Sequence, residues 1–199
     1  MTEIIDFHIP DCEEFRNGYE AYERENLGPI YFDALSIISR NWGEPSSMAR
    51  GIQRIINGWN RFYSHFDFDR VVDCIERNLN VLTELRERNI STFSEKDEET
   101  VETLYYDFLE ALKIERKGND VASPVSVAKA LNPMAPNFLP IWDSNIAIAY
   151  ECFYFYIDFC KKMKLMVERL ATCIPGPDDR SLLKRIDEYN YSKYTRNWI

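Results

Sequence analysis

Apolar residues recur at three- and four-residue spacing along most of the chain, the period of amphipathic helices. Val101, Leu104, Tyr105, Phe108, Leu109 and Leu112 form one such stripe, and Lys113, Arg116, Lys117 and Gly118 then supply a helix C-terminus. Met48, Ile52, Ile55, Ile56 and Trp59 form a second stripe, in a helix that starts between Glu44 and Ser47. Val71, Val72, Ile75, Leu79, Leu82 and Leu85 form a third, opened by Asp67 or Asp69 and running to about Asn89. Asp11 is placed to cap a first helix that carries Phe15, Tyr19 and Tyr22 on one face and ends at Gly28-Pro29. Pro29 then opens a helix to about Asn41, with Ile30, Ala34, Ile37 and Ile38 inward. The pattern predicts an all-α fold of roughly seven to nine helices around an aromatic-rich core. It is one helical domain, with a possible lobe boundary near residues 117–122.

The stretch from Ser123 to Ile148 is punctuated differently. Ser123-Pro124 reads as N-cap and first helical position, and the helix they open stops near Asn132-Pro133. Pro133, Pro136 and Pro140 hold the following connector extended. Asp143 then caps a helix expected to continue through Ile146, Tyr150, Phe153, Tyr156, Cys160, Met163 and Leu170 to Cys173, ended by Pro175-Gly176-Pro177. Asp178 or Ser181 opens a last helix through Leu182, Leu183, Ile186 and Tyr189. The tail from Tyr189 to Ile199 is aromatic and basic, suited either to docking on the body or to an interface.

Composition narrows the function classes. With 199 residues, 45% hydrophobic and 29% charged, the chain is long and apolar enough for a substantial core. Seven glycines argue against a turn-rich β-sandwich. A net charge of -9 means that the overall field does not attract nucleic acid or an anionic membrane, so any such contact needs a local basic patch. Five cysteines with no CxxC pair predict reduced, buried thiols rather than a disulfide framework or a zinc site. The most apolar run, Ile146 to Phe159, is interrupted by Glu151 and Asp158, so no membrane partner is expected. The first fourteen residues lack a basic run followed by an apolar one, and cytoplasm is the expected compartment.

Few motifs carry chemistry. The two histidines, His8 and His65, have no second ligand at helical spacing, and the carboxylate runs sit at helix starts, so no metal is expected. No phosphate-cradling glycine loop and no GxSxG occur, and no cofactor is implied. Lys161 and Lys162, with Lys164 and Arg169, form a basic run late in the long helix, and Arg50, Arg54 and Arg61 punctuate an earlier one. Each reads as a solvated face or as a contact for DNA backbone or another anion.

The order of short helix, proline-rich connector and Pro-x-x-Asp opening a helix resembles the helix-hairpin-helix DNA glycosylase superfamily, over about residues 118–150. The resemblance implies a catalytic Asp at Asp143, with Pro140, Ile141, Trp142, Ser144 and Asn145 around it. There Asp143 would stabilise charge on the deoxyribose or orient a water at a flipped base, and Trp142, Lys129 and Ser126 would belong to the substrate pocket. The chain departs from the family at two places. Ala122, Ser123 and Pro124 stand where the hairpin glycines would be, and Ser126 stands at the nucleophilic-lysine position, with Lys129 one turn later. The same residues have a plain reading: Asp143 as an N-cap, Trp142 in the core and Lys129 in solvent. The alternatives are a non-catalytic helical interaction module or homo-oligomer, and a small-molecule binder with a pocket between helices.

Overall fold

A computed structural model describes residues 7–152, 155–173 and 180–199. The expected helix positions at Phe153 and Asp178 and the stop at Pro175-Gly176-Pro177 lie outside these residues.

The fold is all-α. Among the described residues the helices are α1 (Cys12–Arg24), α2 (Pro29–Arg40), α3 (Pro45–Trp59), α4 (Phe68–Arg86), α5 (Glu95–Ala111), α6 (Pro124–Met134), α7 (Ser144–Ala149), α8 (Tyr156–Leu170) and α9 (Leu182–Asn190). Most starts have a side-chain cap. Asp11 accepts from the backbone of Glu13 and Glu14, Asp67 from Asp69 and Arg70, and Ser181 from Lys184. Ser94 and Asp97 form a reciprocal capping box at α5. The amphipathic stripes point inward as their spacing requires, and Ile52, Ile55, Val71, Ile75, Val101 and Phe108 are fully buried. α2 and α3 pack closely because Gly51 removes a side chain: a Cβ there would lie 2.4 Å from Ile38 Cγ1 and 3.0 Å from the Ala34 carbonyl oxygen.

Four expectations need correction. The helix expected from Asp143 to Cys173 is two helices. Glu151, at φ 54°, ends α7 with Glu151 N–H donating to Ile148 O and Cys152 N–H donating to Ala147 O, both at 2.9 Å. That is a Schellman turn made without the usual glycine, so no glycine announces it. The proline stop at Pro133 is also displaced, because Pro133 sits inside the last turn of α6. The last carbonyls of the helix are held from outside: Arg86 Nη1 donates to Pro133 O at 3.1 Å and to Met134 O at 2.8 Å.

The third correction is a two-stranded hairpin, β1 (Ile114–Arg116) and β2 (Asn119–Val121), between α5 and α6. Lys117 and Gly118 turn it with φ values of 53° and 76°, the positive pair that a tight hairpin requires. The fourth concerns the cysteines. Cys12 and Cys173 are joined by a disulfide with a Cα–Cα distance of 5.0 Å, and Cys74, Cys152 and Cys160 are buried outside it. Partners 161 residues apart leave no spacing signal; the start of α1 and the turn after α8 meet only in the fold.

The C-terminal tail docks on the body. Residues Tyr191–Thr195 form a π turn, and Trp198 N–H returns to Ser192 O at 2.9 Å. Tyr191 meets Tyr22 edge-on at 5.6 Å, and Tyr194 meets Tyr150 at the same distance. The Glu14 carboxylate on α1 binds Lys193, and Tyr189 O–H donates to it at 2.8 Å. No described helix is long and apolar enough to cross a membrane.

Candidate functional site

Where the C-terminal end of α1, the start of α2, the end of α3 and the start of α7 approach α9, they enclose a cavity of about 540 Å³. That volume lies in the range of small-molecule sites, roughly 300–1,000 Å³. Four aromatic residues line it, Tyr22, Trp59, Trp142 and Tyr191, with Ile30, Ile141 and Ile146 as aliphatic wall. Three charged residues reach it: Lys129, Asp143 and Asp187.

Asp143 is placed by the connector. Trp142 Nε1–H donates to Pro124 O at 3.1 Å and Tyr156 O–H to Pro140 O at 2.8 Å, pinning the chain on both sides of Ile141. Asn132 reinforces this from α6: it accepts from Tyr31 O–H at 2.8 Å and donates to Leu139 O at 2.6 Å. Asp143 Oδ1 then accepts from Ile146 N–H at 2.9 Å, the expected N-cap. Oδ2 accepts the Thr195 hydroxyl at 2.6 Å, so the tail holds the outer oxygen. Asp143 is half-buried and faces the cavity.

Lys129 is not in solvent, contrary to its plain reading. Its side chain is 8% exposed, and Nζ donates to Trp59 O at 3.0 Å, 6.0 Å from the Trp59 ring. Burial holds the amine below its usual lysine range, while Asp143 and Asp187 pull in the opposite direction.

Asp187, on α9, belongs to a buried ion cluster behind the cavity. Lys184 Nζ donates to Asp187 Oδ2 at 2.5 Å and lies 3.6 Å from Glu188 Oε1. The ammonium sits 4.8 Å from the Tyr22 ring centroid, 5.0 Å from Tyr31 and 5.5 Å from Trp59. Burial opposes its charge, but the two carboxylates outweigh that and hold Lys184 above its usual range. Both carboxyls are pushed up, first by burial; Asp143 adds to the rise at Asp187 and Asp187 to the rise at Glu188, while the Lys184 they share pulls both down. Glu188 also meets Arg180 at 3.1 Å and Arg185 at 3.6 Å.

Three of the residues singled out in the sequence, Asp143, Trp142 and Lys129, therefore converge on one cavity. Trp142 does so from the core, with its ring packed at 5.4 Å against Tyr156 and 5.2 Å against Phe159. Ser126 does not line it: the residue is fully buried, and its hydroxyl accepts from Asn60 Nδ2 at 2.8 Å. The basic residues expected to contact DNA lie elsewhere. Arg50 is exposed on α3, Arg54 pairs with Asp33 at 2.7 Å, and Lys161 pairs with Glu98 at 2.9 Å. Lys162 donates to Tyr150 O at 2.8 Å, at the end of α7.

Trp59, Tyr22, Tyr191 and Asp187 join the site without a sequence signal of their own. A Lys and an Asp three residues apart, as at Lys184 and Asp187, ordinarily mark a solvated helix face. No group of His, Cys, Asp and Glu among the described residues could hold a metal ion. No family model matches the chain, and neither a curated protein nor a solved structure matches it.

Proposed function

We propose that the cavity binds a flat, base-like heterocycle and that the chain is a divergent glycosylase-like protein acting on an N-glycosidic bond. The observation that carries this reading is the convergence of Asp143, Lys129 and Trp142 with Trp59, Tyr22 and Tyr191 around one cavity. Flat rings suit aromatic walls, and a base leaving its sugar leaves positive charge behind. A half-buried carboxylate fixed by the Ile146 amide and the Thr195 hydroxyl is pre-oriented to stabilise that charge or to hold the attacking water. Lys129, which also lines the cavity, supplies ammonium donors to the departing ring.

Base release from nucleosides and from oligonucleotides carrying damaged bases tests this, with Asp143→Asn as the comparison. The reading expects release by the native chain and a loss of at least about a hundredfold in the variant, the scale of removing one pre-oriented electrostatic group. Equal release by both proteins, or none from any substrate, overturns the glycosidic reaction.

A further inference from the structure

Resting on the cavity reading above, we infer that the natural ligand is an amine-bearing base or nucleoside that carries no phosphate. Asp143 uses one lone pair on each oxygen, for Ile146 and for Thr195, which leaves acceptor capacity directed at a ligand. Asp187 accepts from Lys184 on one oxygen and also lines the cavity. Lys129 has three ammonium donors and donates one to Trp59 O. The site thus offers two carboxylates to ligand N–H groups and one amine to a ligand ring nitrogen or carbonyl. An amino-substituted heterocycle presents that complement along one edge.

A phosphate presents the opposite. It brings only acceptors and negative charge, and would face both carboxylates. Lys184 is already shared between Asp187 and Glu188, behind the Tyr22, Tyr31 and Trp59 rings. Among the described lining residues there is no arginine. At the start of α7, where an anion would otherwise settle, the Asp143 carboxylate itself takes the Ile146 amide. The residues expected to contact a DNA backbone, Arg50, Arg54, Lys161 and Lys162, do not reach the cavity. The net charge of -9 adds repulsion at longer range.

Isothermal titration calorimetry at physiological salt tests the inference on the full chain. The probes are adenosine, cytidine and guanosine, their 5′-monophosphates, and a short DNA duplex. The inference expects at least one nucleoside to bind, its monophosphate to bind at least tenfold more weakly, and the duplex to give no heat. Asp143→Asn is expected to weaken nucleoside binding. A second variant, Leu27→Trp, fills the cavity from a half-buried lining position, and is expected to abolish binding while the protein stays folded. A monophosphate or duplex that binds as tightly as the nucleoside overturns the inference and leaves the cavity reading standing. Absence of binding by every probe overturns the cavity reading, and the inference with it.

Discussion

Replacing Asp143 separates its two roles, because capping and charge respond differently to the incoming side chain. Asparagine caps a helix about as well as aspartate, whereas alanine removes the acceptor. In Asp143→Ala the Ile146 amide loses its cap, at about 1 kcal/mol, and the half-buried Thr195 hydroxyl loses its acceptor, at about 1 kcal/mol more. The sum, about 2 kcal/mol, corresponds to a fall in Tm of roughly 4–8 °C for a chain of this length. In Asp143→Asn the cap survives, and Thr195 can donate to the amide oxygen or accept from the amide nitrogen. That variant is expected to lie within about 0.5 kcal/mol of the native chain. Urea unfolding followed by circular dichroism measures both, and ligand binding or base release measured on the same samples reports the charge. Asp143→Asn is expected to be stable and to lose function, and Asp143→Ala to lose both stability and function. If Asn retains full function, Asp143 is a cap and no more. If Asn and Ala are equally destabilised, the cap and tail contacts do not work as described.

Three further outcomes follow from the same contacts. Lys184→Met leaves Asp187 and Glu188 buried without their shared cation, and is expected to cost about 3–5 kcal/mol, with most of the loss recovered when Asp187→Asn and Glu188→Gln are added; thermal unfolding of the single and triple variants checks this, and a loss below about 1 kcal/mol for the single variant would contradict it. Burial pushes the Glu14 carboxyl up, but hydrogen bonds from Lys193, Tyr189 and His8 prevail and bring it from 4.5 down to about 2. A depressed carboxyl adds stability that is present above pH 4.5 and lost as pH falls towards 2, here about 1–2 kcal/mol after allowing for solvent, so acid titration of Glu14→Gln should show a shallower decline across that window. Cys12→Ser opens a loop closed across 161 residues and is expected to cost about 3–5 kcal/mol, with added reductant lowering the native Tm and leaving the variant unchanged.

The helical stripes and their caps were legible because both are local. Asp11, Asp67 and Ser181 each cap within three residues of themselves, and the buried positions of α3, α4 and α5 follow a single period. The break between α7 and α8 was not legible, because Glu151 adopts a backbone conformation that glycine would normally signal. Asp143, Trp142 and Lys129 stood out through the punctuation around them. Their companions did not: Tyr22 comes from α1 and Asp187 from α9, and only the packing of those two helices brings them to one cavity. The sequence points Lys129 to solvent because a lone lysine on a short helix gives no sign that Trp59 O will hold it inside. The disulfide has the same origin, since its two cysteines are neighbours only after α1 and α8 are in place.

If the cavity beside Asp143 is where this protein binds its ligand, its lining residues alone should respond to one. Amide chemical-shift mapping on the isotope-labelled full chain, titrated with free nucleobases and nucleosides, tests it most directly. Saturable shifts are expected at Trp59, Lys129, Trp142, Asp143, Ile146 and Asp187, and none at the β1–β2 hairpin on residues Ile114 to Val121. Shifts confined to any other surface, or none with any probe, would contradict it.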